Sequence, residues 1–370
     1  MTRISLISSD MYYNDSLMPT TIVTPTEFKD TANGTIFLSF CMMTIVTVGF
    51  FGNGLIVVAF SRDSHLRKKY FLLIVLSSLY ACGSLFFTLD IYHLYRHEVM
   101  KDPICTIHAY AISTLSVGAI HQLAVLSFER YVGVNHPFIL LKLPLRTKIL
   151  FASAAFIWTL FTTTPPLFGW SKYKVLDGSL NYCVFDYLSN ERSTQEYIMY
   201  LFFNGYIIPL GIIGFSNYKI FLTAKSVVTT RKTDVYHKRL RSLTSTSTYI
   251  SETETDSNLH ELAKIFESSG LNDIETQNSL LVYDRQQRKC ATVILYCVGS
   301  FIVSWTPYAF TSIVWNIVFS FKLNSTFVLL TAIAAKMFVI WNPIIYGFMD
   351  ETFLSECGKI LTTRFKYWLE

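Results

Sequence analysis

Charge is what this chain lacks most. Only 15% of its 370 residues are Asp, Glu, Lys or Arg, against about 25% in soluble globular domains. The charge is also unevenly placed: long stretches carry almost none, and short stretches between them carry nearly all. That excludes the two or three soluble domains which the length alone would allow. Cysteine is sparse too. The seven residues are widely spread, five of them in or next to apolar segments. No spacing resembles a zinc site or a disulfide-dense secreted module, so no metal centre is expected. The formal excess of +5 falls in particular loops, which is a topology signal, and nucleic acid is not expected as a partner. A cleavable signal peptide is not evident: the first 34 residues are polar and have no basic-then-apolar start. The first apolar span is expected to act as its own membrane-entry signal.

What is present is apolar and aromatic. Half of the residues are hydrophobic, with 30 Phe and 22 Tyr. A bilayer core needs about 20 apolar residues per helix, and seven stretches qualify: 36–60, 70–94, 105–134, 148–168, 197–222, 289–314 and 326–348. One such stretch could be a soluble core helix; seven in succession, separated by charged loops, could not. The fold class expected is an all-α membrane protein, a seven-transmembrane helix bundle. An N-terminal segment (1–35) precedes the bundle (36–349), and a surface helix and tail (350–370) follow it.

Lys and Arg set the orientation. Arg62, Arg67, Lys68 and Lys69 follow the first span, Lys142, Arg146 and Lys148 lie between the third and fourth, and further basic residues flank the fifth and sixth. The opposite loops are poorer in them. This predicts a multi-pass plasma-membrane protein with its N-terminus outside and its C-terminus inside. Sequons at Asn14 and Asn33 fall on the outer side and are candidate glycosylation sites. The inner loop at about 223–288 contains SLTSTSTYISETETDSN, a composition that cannot build a core. After the seventh span, Phe353, Leu354, Cys357, Ile360 and Leu361 fall on one helical face, which suggests an amphipathic helix on the lipid surface. Cys357 there is a candidate for palmitoylation, or a plain apolar cysteine.

Lys336 is the most informative residue. It sits mid-way through FVLLTAIAAKMFVIWNPIIYGF, where a charge costs several kcal/mol unless it is paired. Two roles are open: an amine nucleophile that forms a Schiff base with an aldehyde, or an ion pair with Asp90 in the second span.

The residues around Lys336 carry a resemblance. It lies six residues before Asn342-Pro343-Ile344-Ile345-Tyr346. That run resembles the N-P-x-x-Y motif of rhodopsin-like receptors, at the retinal-attachment spacing of opsins. Gly52-Asn53, Glu129-Arg130-Tyr131 25 residues after Cys105, Trp158, PPLFGW at 165–170, Pro209 and Ser304-Trp305-Thr306-Pro307-Tyr308-Ala309 agree in order. The resemblance covers roughly residues 36–362 and is to an atypical, non-visual or invertebrate-type opsin. It implies retinal as cofactor and a light-activated receptor. It implies a heterotrimeric G protein as partner, with arrestin as a further one and membrane lipid around the bundle. Glu129, Arg130, Tyr131, Asn342, Pro343 and Tyr346 would be the switch toward the G protein. Trp305 and Tyr308 would line the chromophore pocket, and Cys105 and Cys183 would form the outer disulfide.

The sequence also departs from the family. Tyr80 stands where the second span usually has Asp, which argues against a sodium site. Gln287 replaces the acid that pairs with the third-span Arg, and Asp350-Glu351-Thr352 replaces a basic tripeptide. His108 stands three residues after Cys105, where vertebrate visual pigments have the Glu counterion. A buried protonated Schiff base needs a negative charge nearby, and His108 cannot supply one. Asp177, six residues before Cys183, is the first candidate and Asp90 the second; chloride or a water network would be the remainder. His108 also keeps a retinal photoisomerase as the alternative function, and a receptor for a diffusible ligand is a third reading.

Overall fold

The computed structural model describes residues 32–369 apart from 97, 137–138, 140–142, 176–182, 188, 190, 224–287, 290 and 314–324. The candidates Asn14, Asp177 and Gln287, and nearly all of the long inner loop, lie outside the described residues.

Seven helices are long and apolar enough to cross a membrane: α1 (Ile36–Ser61), α2 (Phe71–Arg96), α3 (Ile104–Asn135), α4 (Leu145–Thr163), α5 (Arg192–Thr223), α6 (Ala291–Ile313) and α7 (Leu329–Met349). An eighth helix, α8 (Glu351–Leu369), follows. At 1.5 Å per residue the 32 residues of α3 extend about 48 Å, more than a bilayer core of about 30 Å. Both ends of α3 therefore reach past the apolar layer, one to the disulfide and one to Arg130. The bundle buries a continuous apolar core that includes Leu76, Leu123, Ile213, Val298 and Val339. Its outer surface stays apolar as well: Phe40, Phe161, Phe221, Val303 and Phe348 are all exposed. A face like that is stable only against lipid.

The fourth span ends five residues before its predicted end. Pro165 and Pro166 stop the α-helix at Thr163, and the chain turns through a 3-10 segment, Pro165–Phe168, closed by Gly169 at φ 90°. Pro165 and Pro166 have no N–H with which to continue the helical ladder, and only glycine adopts that positive φ without strain. β1 (Tyr173–Val175) and β2 (Cys183–Phe185) then form an antiparallel hairpin, with Val175 opposite Cys183. The Cys105–Cys183 disulfide binds this hairpin to the start of α3, and a Lys174–Asp186 ion pair of 2.9 Å fastens its base. The Tyr173 hydroxyl donates to the Thr163 carbonyl at 2.8 Å.

Proline also shapes α7. Pro343 has no N–H, so the carbonyl four residues back, that of Val339, loses its helical partner. Asn53 Nδ2 donates to that carbonyl at 2.7 Å and to the Gly49 carbonyl at 2.8 Å. One side chain thus joins α1 to the weakened turn of α7. The contact needs Gly52: a Cβ there would meet Pro343 ring carbons at 2.6 and 2.7 Å.

The described residues place α8 at the end opposite the hairpin. Asp350 accepts from the Phe353 N–H at 2.9 Å, which caps the helix. Phe353, Cys357 and Ile360 pack against the bundle, whereas Leu354 and Leu361 are exposed. The predicted apolar face therefore divides into a bundle side and a free side. The Cys357 thiol is on the bundle side, where burial raises its pKa. The short helix Ser64–Lys69 after α1 is capped by Asp63, whose carboxylate accepts from the Leu66 and His65 amides at 2.8 Å each. These bonds hold the carboxyl below its usual pKa.

Candidate functional site

A cavity of about 140 Å³ lies between α3, α5, α6 and α7 beneath the hairpin. The walls are apolar and aromatic. Ala109, Ile112, Val117 and Ile120 come from α3, Phe202, Gly205 and Tyr206 from α5, Phe301, Trp305 and Tyr308 from α6, and Val184 and Phe185 from the hairpin. Trp305 stacks on Phe301 at 5.7 Å and meets Tyr308 edge-on at 5.8 Å. Tyr308 continues outward to Tyr187, 5.4 Å away, which is how the hairpin closes on α6. The local fold of α5 at this wall is irregular: Phe203–Ile207 forms a π-turn ahead of Pro209. The freed Asn204 carbonyl is taken by His121 Nε2 at 2.9 Å, while His121 Nδ1 meets Thr159 Oγ1 at 2.8 Å.

One end of this apolar cavity is ionic. Lys336 on α7 is 7% exposed and reaches Asp90 on α2, with Nζ 2.7 Å from Oδ2. The ammonium also lies over the Phe87 ring at 4.2 Å. The other oxygen of Asp90, Oδ1, is 3.0 Å from His108 Nε2 on α3. Asp90, 1% exposed, thus stands behind the lining between two nitrogen bases from two other helices. Of the residues singled out in the sequence, the structure brings Lys336, Asp90, His108, Trp305 and Tyr308 to this one place. The Asp90–Lys336 pair, an alternative role for the lysine on sequence grounds, is formed. Asp177, ranked ahead of Asp90 in the sequence, belongs to the residues between β1 and β2 that are not described. His108 was read for its lack of negative charge and as the residue that keeps a photoisomerase in view; its contact with Asp90 had no signal in the spacing.

The opposite end carries the second cluster. Glu129 and Arg130 close α3 and are 6% and 3% exposed. Arg130 Nη2 is 3.7 Å from Glu129 Oε2, and Lys148 on α4 approaches Glu129 Oε1 at 2.6 Å. Lys148 Nζ also donates to the Lys68 and Lys69 carbonyls at 3.0 and 3.3 Å, ending the short helix after α1. The sequence showed Lys148 only as one more topology charge. Tyr131 packs edge-on to Phe215 of α5 at 5.6 Å. Asn342 and Tyr346 are buried on α7, and Asn342 Nδ2 has no hydrogen-bond partner among the described residues. Tyr80 is buried and meets Phe338 edge-on at 5.1 Å, so an aromatic contact fills the position where Asp was expected. Glu351 reaches Lys289, at the base of α6, at 2.9 Å. Among the described residues no group of three or more His, Cys, Asp or Glu could hold a metal ion.

Comparison with known proteins adds a family. The pattern described as "7 transmembrane receptor (rhodopsin family)" matches residues 52–346. The chain is 24% identical over 315 residues to a melanopsin of Branchiostoma belcheri, which covers 84% of the chain and 40% of that protein. It is 25% identical over 327 residues to melanopsin-A of Danio rerio, covering 86% and 49%. It is 25% identical over 317 residues to medium-wave-sensitive opsin 1 of Sciurus carolinensis, covering 84% and 74%. The chain therefore spans less than half the length of these two melanopsins. In three dimensions it is similar to squid rhodopsin, with a TM-score of 0.70 at 19% identity over 95% of this chain and 91% of that one.

Proposed function

Because the chain belongs to the rhodopsin family of seven-transmembrane receptors, we propose that it is a light-sensing receptor that holds retinal on Lys336 and activates a heterotrimeric G protein. The observation that carries this reading is the buried Lys336 amine at the edge of an aromatic cavity, with the Asp90 carboxylate 2.7 Å away.

The site fits such a cofactor. An apolar cavity with Lys336 in its lining suits a hydrocarbon that carries one aldehyde. Retinal when bound supplies that aldehyde and a polyene that changes shape on absorbing light. The residues of the chain do the rest. Lys336 Nζ is the nucleophile when its amine is neutral. Asp90 stabilises positive charge at Nζ, without which the proton there would be lost in so apolar a setting. The hairpin, held to α3 by the disulfide, excludes water from the ionic end. Trp305 lines the cavity beside Phe338 of α7, 5.6 Å away, where it senses a change in the occupant's shape. Pro307 and Pro343 weaken α6 and α7 at one level each. That lets the Arg130 end rearrange while the hairpin end stays fastened.

The topology assigned to this receptor puts the hairpin outside, where the Cys105–Cys183 disulfide is chemically at home, and Arg130 toward the G protein inside the cell. Glu129-Arg130-Tyr131 favours signalling over the alternative of a retinal photoisomerase. The test is expression with 11-cis and with all-trans retinal. A visible absorption band is expected in the parent and is lost in Lys336→Ala. A band that survives this change overturns the attachment site. Light-dependent nucleotide exchange on added G protein then separates a receptor from a photoisomerase, and no retinal-dependent band at all leaves a receptor for a diffusible ligand.

A further inference from the structure

Pro209 leaves one carbonyl of α5 without a helical donor. In the turn Phe203–Ile207 the backbone bonds span five residues instead of four, and the Ile208 N–H reaches back to the Phe203 carbonyl. The next amide in that register belongs to residue 209, and proline has no N–H. The Asn204 carbonyl is therefore the one that the ladder cannot serve. Left bare inside a membrane bundle, such a group is strongly unfavourable.

The missing hydrogen comes from α3. His121 is 3% exposed, and its Nε2 lies 2.9 Å from the Asn204 oxygen. Its Nδ1 lies 2.8 Å from Thr159 Oγ1 on α4. A carbonyl only accepts, so Nε2 carries a hydrogen. Neither partner is charged, and a cation so deeply buried would need a counter-charge. The ring is therefore assigned as neutral, with Nδ1 as its acceptor and the Thr159 hydroxyl as donor. That hydroxyl also stands 2.8 Å from the Ala155 carbonyl, but Ala155 already receives the helical N–H of residue 159. Trp158 stacks on the imidazole at 5.0 Å. Two neighbouring side chains of α4 thus fix the tautomer and the plane of His121.

The turn that depends on this bond carries the α5 wall of the cavity, where Phe202, Gly205 and Tyr206 line it. Gly205 packs on Val117 of α3: a Cβ there would meet Val117 Cγ1 at 3.5 Å. Val117 and His121 are four residues apart and share a face of α3. One strip of α3 therefore both supports the turn and completes its bonding. We propose that His121 is a positioning residue of the cavity. It supplies the hydrogen bond that Pro209 removes, and so sets where Phe202, Gly205 and Tyr206 stand against an occupant. The bonding argument stands on the fold alone; the effect on the occupant rests on the retinal reading.

The experiment has two arms, both on the full chain in detergent. The first, without retinal, combines thermal unfolding with histidine-selective ¹⁵N NMR, the His121 signals being assigned by their loss in His121→Gln. The parent is expected to show a neutral ring with its hydrogen on Nε2. A hydrogen on Nδ1 overturns the proposal even if a variant fails to fold. His121→Leu is expected to lower the unfolding midpoint by about 2 °C or more. His121→Gln, whose amide can donate to the same carbonyl, is expected to recover most of that. In a Pro209→Ala background residue 209 brings its own N–H, so the His121→Leu change is expected to cost markedly less. An equal loss in both backgrounds overturns the proposal. The second arm measures how fast the visible band forms, well below the unfolding midpoints, with the retinal isomer that the parent takes up faster. His121→Leu is expected to slow this roughly fivefold, the worth of one buried hydrogen bond, and His121→Gln to restore it. An unchanged rate in a protein with a lowered midpoint makes His121 a structural pin only and overturns its role in the cavity. The absence of any retinal-dependent band in the parent overturns the retinal reading and leaves the first arm standing.

Discussion

The two ends of α3 solve the same physical problem with different consequences. Each end buries a carboxylate against a lysine from another helix: Asp90 against Lys336 at the hairpin end, Glu129 against Lys148 at the other. Asp90 faces Lys336 on α7 and His108 on α3. Its partner Lys336 is the amine to which the proposed function assigns retinal. Glu129 faces Lys148 on α4, and Lys148 is itself held by the Lys68 and Lys69 carbonyls. Nothing bound in the cavity reaches that pair. The Glu129–Lys148 pair is a bracket that joins α3 to α4 and to the turn after α1. The neighbouring Arg130 lies 3.7 Å from the other oxygen of Glu129.

The sharpest way to break this comparison is to remove Arg130. Arg130→Ala is expected to abolish light-driven nucleotide exchange and to leave the absorption band of the retinal-loaded protein in place, because Arg130 lies at the end of α3 opposite the cavity. Normal exchange in this variant would mean that the switch lies elsewhere, and loss of the band would mean that the two ends are not separable.

The next effect in size concerns the hairpin end. Asp90→Asn removes the carboxylate that is 2.7 Å from Lys336 Nζ, so the visible band is expected to move to the ultraviolet near neutral pH. Asp177→Asn, tested in the same titration, is expected to leave it visible. The reverse result would assign the counterion to the loop between β1 and β2, and no effect from either would point to a bound anion.

The bracket can be tested by stability. Lys148→Met leaves Glu129 buried without its cation, an arrangement that costs about 3 kcal/mol in comparable cases. Thermal unfolding in detergent should show the loss, and Glu129→Gln in the same chain should recover most of it, since a pair removed together leaves no buried charge behind. A Lys148→Met protein as stable as the parent would show that the pair is solvated.

How far the sequence could be read differs between these regions for physical reasons. The seven spans were legible because each must be long and apolar by itself, a property of consecutive residues. The Cys105–Cys183 bond and the Lys336 to Tyr346 run were legible through a family resemblance, which carries spacing along one helix well. The contacts that define both ionic clusters were not. His108 with Asp90, and Lys148 with Glu129, join residues on separate helices, and their spacing in sequence says nothing about which faces meet. The end of α4 was misplaced because apolar composition continues through Pro165 and Pro166, where the helix cannot.

The smallest effect lies at the joint between α6 and α8. Lys289 and Glu351 pair at 2.9 Å, with side chains 59% and 84% exposed. Solvent screening keeps such a pair below about 1 kcal/mol, less than about fivefold in an equilibrium constant. The pair is of interest for its position. It ties the base of α6 to the start of α8, where the chain has acidic residues in place of the basic ones expected. The proposed activation moves the Arg130 end of α6, and that movement would separate Lys289 from Glu351. Glu351→Gln is therefore expected to raise dark nucleotide exchange less than about fivefold and to leave the absorption band unchanged. Because both partners are in water, the difference from the parent should shrink as ionic strength rises toward about 1 M, where charges more than about 3 Å apart are screened. A rise that persists at high salt would mean that Glu351 acts through the capping turn of α8 and Asp350, and not through Lys289. No rise at low salt would confine the control of the resting state to the buried clusters on α3.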